Sequence, residues 1–127
     1  MATQFTISGA LSLPPDAGQP LASIPFNGAG SFSSKVDLEL NLTGSGSKDV
    51  DLGSVEAPGA KCVLIEVDSN ALSEPINVRF NGGSDTGQLE IAPGGFLAYS
   101  NPVPTGGITA ITIVYTTDNR VRLRVLG

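Results

Sequence analysis

Two pairs of carboxylates are the first side chains in this sequence that could carry out chemistry. Asp49 and Asp51 are two residues apart, as are Asp37 and Glu39, so each pair would share one face of a β-strand. Carboxylate oxygens bind calcium, and paired acids can hydrolyse glycosidic bonds. Calcium ligands converge more readily from loops than from a strand face, however, and no aromatic platform for a sugar flanks either pair. We therefore interpret both pairs as solvated charge.

Other reactive side chains are scarce. The sequence has no histidine, the residue used in most general acid–base mechanisms, nucleophilic triads and transition-metal sites. The single cysteine, Cys62, lies in the apolar run KCVLIEV and is expected to be a buried, unreactive thiol. The stretches NGGSDTG and APGGF lack the spacing of a phosphate-binding loop and precede no helix. We therefore predict that the protein is not an enzyme and has no catalytic residue, cofactor or metal.

Three of the seven basic residues lie close together: Arg120, Arg122 and Arg124. One interpretation is a solvated face whose charges pair loosely with neighbours, each pair contributing ~0–1 kcal/mol. The alternative is pairing with Asp37 and Glu39, whose two-residue spacing matches and would form two rungs across a sheet. If the acidic partners lie on another subunit, the arginines would specify assembly. We therefore treat all three as candidate interface residues.

The segments that must position these side chains have the pattern of β-strands. KVDLELNLT alternates strictly between apolar and polar residues, and about nine such segments follow one another at roughly 8–12-residue intervals. AKCVLIEVDS is apolar on both faces, which predicts a strand covered on both sides. ITAITIVYTT and VRLRVLG, joined by TDNR, are predicted to form a hairpin. The predicted fold is all-β: an antiparallel two-sheet sandwich, jelly-roll-like, with a small β-barrel as the alternative.

The N-terminal segment QFTISGALSL also alternates, with a break at Gly9 that would suit a bulge. The prolines of PPDAGQP fix φ and remove backbone donors, so that segment is a loop or an extended arm. We predict an N-terminal strand or arm over residues 1–15 and a β-sandwich domain over residues 16–127. The apolar side chains of the arm could complete a neighbour's sheet or lie across its surface, and they are candidate interface residues: Phe5, Ile7, Leu11 and Leu13.

Length and charge restrict the partners. The 127 residues suffice for one domain with a real core. A net charge of −5 argues against broad binding to nucleic acid or to an anionic membrane. The sequence shows no signal peptide and no run of ~20 apolar residues, so we expect a protein made in a reducing compartment with no membrane partner. Carbohydrate binding stays open, although there is no tryptophan and there are only two tyrosines.

From about residue 60 to residue 127, the chain resembles the closing strands of small virion structural proteins of tailed bacteriophages. The resemblance rests on APGGFLAYSNP, ITAITIVYTT and VRLRVLG. It implies an all-β capsid decoration or cement protein without a catalytic site, made in the bacterial host cytoplasm and located in the virion. Such proteins tie neighbouring capsomers of the major capsid protein together as dimers or trimers, and we expect a homo-oligomer, with a trimer favoured. The alternatives are a tail- or baseplate-associated structural protein and a carbohydrate-binding β-sandwich module.

Overall fold

The computed structural model describes residues 3–12, 23–56, 59–70, 72–82, 88–102 and 107–127. These ranges form ten β-strands and one short 3₁₀ helix, Gly53–Glu56. The strands are β1 (Thr3–Ser12), β2 (Ser23–Phe32), β3 (Lys35–Leu42), β4 (Gly46–Val50), β5 (Cys62–Val67), β6 (Ile76–Phe80), β7 (Leu89–Ile91), β8 (Phe96–Ser100), β9 (Ile111–Tyr115) and β10 (Asn119–Leu126). In the described ranges, no helix has the length and apolar character required to cross a membrane.

Eight of the strands form two antiparallel sheets that pack face to face. The first sheet has the order β3-β10-β5-β8 and the second the order β4-β9-β6-β7. Numbered from β3, these orders are 1-8-3-6 and 2-7-4-5, the arrangement of a jelly roll with its two Greek keys. The prediction of an all-β, jelly-roll-like sandwich is therefore confirmed. The strands described do not close into the barrel that was the alternative.

The core lies between the two sheets. Alternation along β10 shows how the sequence builds it, since Val121, Leu123 and Val125 are buried while the arginines between them are exposed. The second sheet contributes the same kind of residue from β6 and β9. The largest fully buried side chains are Leu52, Val55, Val63, Ile65, Ile76, Val78, Ile111, Ile113, Val121, Leu123 and Val125. Most are β-branched, as expected for residues that fill a pleated, two-sided core.

The predicted hairpin of β9 and β10 is wrong. β9 pairs with β4 and β6 in the second sheet, whereas β10 pairs with β3 and β5 in the first. Residues 116–118 therefore carry the chain from one sheet to the other. The backbone N–H of Gly44, in the β3–β4 crossing, donates to Asp118 Oδ1 at 2.6 Å, so two crossings are fixed to each other. Alternation alone predicts which residues face the core, and it is the same for a hairpin and for a crossing between sheets.

The remaining two strands form a third layer. β1 and β2 pair antiparallel from Thr3 opposite Phe32 to Ser12 opposite Ser23, and we call this two-stranded sheet the ribbon. The register is continuous through Gly9 opposite Phe26, so the suggested bulge at Gly9 is absent. β2 was not among the predicted strands. The predicted division at residue 15 falls in residues 13–22, outside the described residues.

The ribbon packs on the outer face of the first sheet. Val63 and Ile65 of β5 face the core, while Cys62 on the opposite face is buried with Phe5 of the ribbon and Leu126 of β10. The prediction that this strand is covered on both sides is confirmed for its first residues. Lys61 Nζ also donates to the carbonyl oxygen of Ser31 at 2.9 Å, which ties β2 to the sandwich.

Candidate functional site

One face of the ribbon is apolar along its whole length. Residues opposite each other in an antiparallel pair point to the same side, and successive residues alternate. The register places Phe5 opposite Gly30, Ile7 opposite Gly28, and Leu11 opposite Ile24. The apolar face is therefore made of Phe5, Ile7, Leu11, Ile24, Phe26 and Phe32. The opposite face carries small and polar residues such as Gln4, Thr6, Ser8 and Asn27.

The half of the apolar face nearest the sandwich is covered. Phe5 is buried, Ile7 and Phe32 are half-buried beside it, and the two phenyl rings are 6.3 Å apart between centroids. Glycines on β2 permit this close approach. A Cβ atom added to Gly28 would lie only 2.5 Å from Ser100 Oγ of β8, so a larger residue there would push the ribbon away from the sheet.

The other half of the apolar face is exposed. We call residues 8–12 and 23–27 the distal end of the ribbon. Leu11 is 60 % exposed, Ile24 49 % and Phe26 46 %. These three large side chains lie on the same face, in a ribbon where that face is elsewhere packed against protein. A contiguous exposed apolar surface on a folded protein marks a binding site more often than isolated apolar residues do.

The ribbon carries no charge. Neither residues 3–12 nor residues 23–32 contain Asp, Glu, Lys or Arg, although the chain has 12 acidic and 7 basic residues. A contact made through the ribbon therefore removes no ionised group from water, which would otherwise oppose binding. Such a contact also brings no acidic side chain to the partner, although the protein as a whole has a net charge of −5.

A groove of about 470 Å³ runs between the ribbon and β8. β8 is one of the two edge strands of the first sheet among the strands described. The groove is lined by Ile7, Phe26, Asn27, Gly28, Ala29, Ala98, Tyr99, Ser100 and Pro102, none of which is charged. Phe96 lies two residues before Ala98 on the same face of β8 and is 64 % exposed. Phe26 thus belongs to both the distal end and the groove, and Phe96 lies further along the face of β8 that carries Ala98.

Of the seven predicted interface residues, four belong to the arm. The structure buries Phe5, half-buries Ile7 and exposes Leu11, while Leu13 lies outside the described residues. Sequence reasoning missed Ile24 and Phe26, because Pro25 and the glycines of SIPFNGAGSF disguise the alternation. The signal that could have revealed β2 is the lack of charge from Ala17 to Ser34, in a chain otherwise rich in acids.

The arginines pair within the chain. Arg124 Nη2 donates to Asp37 Oδ2 at 2.7 Å, and these residues are directly opposite in the β10–β3 register. Arg120 forms a hydrogen-bonded ion pair with Glu39, which lies diagonally across the same two strands. Of the two interpretations, the structure thus shows pairing with Asp37 and Glu39 across the sheet, as one directly opposed pair and one diagonal pair.

Acidic residues outside β3 extend this network. Arg120 Nε is 3.7 Å from Asp68 Oδ2, and Arg122 Nη2 is 3.9 Å from Glu66 Oε2 on β5. The side chains of all three arginines are more than half exposed, so water and salt screen these pairs. That the arginines also contact another subunit remains a prediction.

The carboxylates considered first are used locally. Asp49 Oδ1 accepts from Thr112 Oγ1 at 2.8 Å across the β4–β9 pair, and Asp51 Oδ1 accepts from the backbone N–H of Gly53 at 3.0 Å. In the part of the chain that the structure describes, no three metal-ligating side chains come together. Burial raises the pKa of the Cys62 thiol, which is the opposite of what a nucleophilic cysteine requires.

A polar cleft of about 410 Å³ lies where the sheet-crossing loops meet. Its lining includes Asn41, Asp68, Asn70, Asp118 and Arg120, which together offer hydrogen-bond donors and acceptors but no aromatic ring. Buried Asn119 is another lining residue. Its Nδ2 donates to the carbonyl oxygens of Glu74 and Thr117, and its Oδ1 has no hydrogen-bond partner. The cleft can therefore hydrogen-bond a small polar ligand but cannot stack a sugar ring.

No protein-family model matches the chain, and comparisons with curated proteins and with solved structures give no significant match. The features that bear on function are the ribbon, the groove, the arginine–carboxylate pairs of the first sheet and the polar cleft.

Proposed function

We propose that this protein is a non-enzymatic attachment protein of a bacteriophage virion: a capsid decoration or cement protein that binds the major capsid protein as a homo-oligomer. The observation that carries the proposal is the charge-free ribbon, whose apolar face is buried at one end and leaves three large side chains exposed at the other. Such a surface is suited to burial against protein. The assignment to a phage virion comes from the sequence resemblance of residues 60–127 to small virion structural proteins.

The body of the protein suits mechanical attachment. Its core is filled by inward-facing residues of both sheets, and the sheet crossings are held by hydrogen bonds such as that from the backbone N–H of Glu74 to Thr117 Oγ1 at 2.7 Å. A decoration protein needs contact area and repeated weak contacts, not a reactive site, because symmetry multiplies each modest interface. Jelly rolls occur in viral capsid domains and in lectins, so the fold alone does not select between attachment and sugar binding.

Co-sedimentation tests the proposal most directly. Purified protein is mixed with empty shells assembled from the major capsid protein of the phage that would carry it, and the protein in the pellet is quantified over a titration. We expect saturable binding at a fixed ratio to capsid subunits, and shells that withstand higher temperature when decorated. Saturable binding to purified tails or baseplates, with none to shells, would replace decoration by the tail-associated role. Binding to neither would reject a virion attachment function.

The hydrogen-bonding groups of the polar cleft favour one second candidate, a carbohydrate-binding module that would hold its ligand by hydrogen bonds without aromatic stacking. Asp68, Asn70 and Asp118 could accept hydrogen bonds from sugar hydroxyls, and Arg120 could donate to them. A glycan array followed by calorimetry on the hits tests this function. If it is correct, Asp68→Ala should abolish binding of any glycan found, while Asp49→Ala, on the second sheet and outside the cleft, should not. An array without hits would reject this candidate.

A further inference from the structure

We propose that the distal end of the ribbon docks on a second copy of this chain, where Leu11 and Ile24 of one copy enter the groove between the ribbon and β8 of the other. This inference rests on the self-association included in the proposed function, and it names the surface involved. It assigns partners to two features that a single chain leaves uncovered: the exposed apolar side chains of the distal end and the uncharged groove beside them.

Shape is the first argument for a second copy. The distal end presents Leu11 and Ile24 side by side, since they are opposite each other in the register. The groove next to it has a volume of about 470 Å³, which leaves room for aliphatic side chains. Its lining consists mainly of small and apolar residues, including Gly28, Ala98 and Pro102. One molecule therefore carries both the exposed side chains and a groove that can receive them. Repeated by a rotation, a contact between two different surfaces of the same chain closes a symmetric ring.

Charge is the second argument. Each copy has a net charge of −5, so two copies repel one another least when they meet through uncharged surfaces. Both the ribbon and the groove lining lack Asp, Glu, Lys and Arg. A strongly basic partner would instead be recognised through acidic side chains, which this side of the ribbon does not offer. The surface therefore fits another acidic copy better than it fits a basic partner.

The exposed ring of Phe96 extends the same contact. It lies on the face of β8 that lines the groove and is the most exposed aromatic residue among those described. A ribbon seated over β8 of a neighbouring copy would cover this ring. Aromatic residues at the centre of such a contact carry much of the binding energy.

Two residues of the distal end, on opposite faces of the ribbon, give a matched test. Phe26 belongs to the apolar face, whereas Ser8 of β1 points to the opposite face and does not line the groove. Phe26→Asp and Ser8→Asp add the same charge at neighbouring positions of the ribbon. Light scattering coupled to size exclusion, over a concentration series, measures the dissociation constant of each. We expect self-association of the wild type and of Ser8→Asp to be equal, and that of Phe26→Asp to be weaker by about tenfold or more, because a carboxylate would be buried without a partner.

A second pair of variants keeps the test decisive if Phe26→Asp does not fold. Leu11 is more exposed than Phe26, so Leu11→Asp should leave the fold intact, and Ala10→Asp is its control on the opposite face. Circular dichroism and the protection of Cys62 from a thiol reagent confirm folding in all four variants. A wild type that remains monomeric across the series, or apolar-face variants that associate as strongly as their controls, would overturn the inference.

Cross-linking tests whether the groove is the surface on which the distal end docks. In a background where Cys62 is replaced by alanine, Leu11→Cys protein is mixed with Ala98→Cys protein and treated with a short bis-maleimide. We expect a mixed covalent dimer, and much less of it when Ala10→Cys replaces Leu11→Cys. Equal yields from both mixtures would place the contact elsewhere. Shell binding is scored separately: a monomeric wild type that decorates shells rejects only the docking surface, whereas docking without shell binding rejects only the proposed function.

Discussion

Arg124 and Asp37 face each other directly across strands β10 and β3, with Arg124 Nη2 donating to Asp37 Oδ2 at 2.7 Å. The geometry of this pair is good, yet its side chains are 61 % and 50 % exposed. Solvent screening therefore limits what the pair contributes, and the stability of the first sheet must come mainly from the inward-facing side of β10.

A double-mutant cycle tests this assignment. With Asp37→Ala, Arg124→Ala and the double variant, we expect a coupling energy below about 1 kcal/mol from urea unfolding. It should shrink further in about 1 M salt, where the screening length falls to about 3 Å. A coupling of several kcal/mol that salt does not change would mean that this face is buried in the protein as it exists in solution.

Neighbouring residues of β10 should differ sharply in their effect on stability. Leu123 is 2 % exposed in the core, whereas Arg122 points to solvent from the other face. We expect Leu123→Ala to lower the free energy of unfolding by about 2–5 kcal/mol through lost burial and the cavity left behind. Arg122→Ala should change it by only about 0.5 kcal/mol. Similar losses for both substitutions would contradict the assigned faces of the strand.

Asn81 holds the turn after β6 in two ways. Its φ of 55° is in the left-handed region, and its Oδ1 accepts from the backbone N–H groups of Thr109 and Ala110 at 2.7 Å and 3.1 Å. Asn81→Ala loses these bonds and strains the backbone, so we expect a loss of about 2 kcal/mol in chemical denaturation. Asn81→Gly keeps the conformation and should lose about 1 kcal/mol less. If glycine destabilised as much as alanine, backbone strain would play no part.

The rate at which a thiol reagent labels Cys62 shows whether the ribbon is packed against the first sheet. Phe5 covers the thiol, and burial raises its pKa, so the folded protein keeps Cys62 neutral to a higher pH than the unfolded chain does. We expect slow labelling by a thiol reagent near neutral pH and faster labelling as pH rises through the raised pKa. The stabilising effect of the neutral thiol is complete below the ordinary thiol pKa and is lost as the pH rises through the raised pKa of the folded protein.

Phe5→Ala should expose the thiol and speed its labelling at a given pH by about tenfold or more. Gln4→Ala, on the opposite face of β1, is the matched control and should label like the wild type. Equal labelling rates for both variants would show that Phe5 does not control access to Cys62.

Side-chain faces could be predicted from this sequence, but strand partners could not. KVDLELNLT and VRLRVLG alternate so regularly that period two alone predicts which side of the sheet each residue faces, although Leu38 on edge strand β3 is 37 % exposed. That β10 inserts between β3 and β5 depends on how the two sheets pair, and no local signal encodes it. The hairpin prediction failed for this reason, since residues 116–118 would turn the chain equally well within one sheet or between two.

The candidate site was only half visible in the sequence. Phe5, Ile7 and Leu11 were predicted as interface residues from their alternation, but β2, which supplies Ile24 and Phe26, was not predicted. Proline in a strand argues against a central position, yet Pro25 is tolerated in a two-stranded ribbon where both strands have a free edge. The groove is formed by β2 and β8, which are distant in sequence, so only the folded chain reveals it.

The central position of β10 in the first sheet has a consequence for biosynthesis. β3 has β10 as its only partner among the strands described, and Lys35 pairs with Leu126. A nascent chain leaving the ribosome therefore exposes β3 without its partner until residues 119–126 have emerged, so the first sheet cannot close before that segment is available. Because such pairings join distant parts of the chain, we expect refolding in milliseconds to seconds, not microseconds.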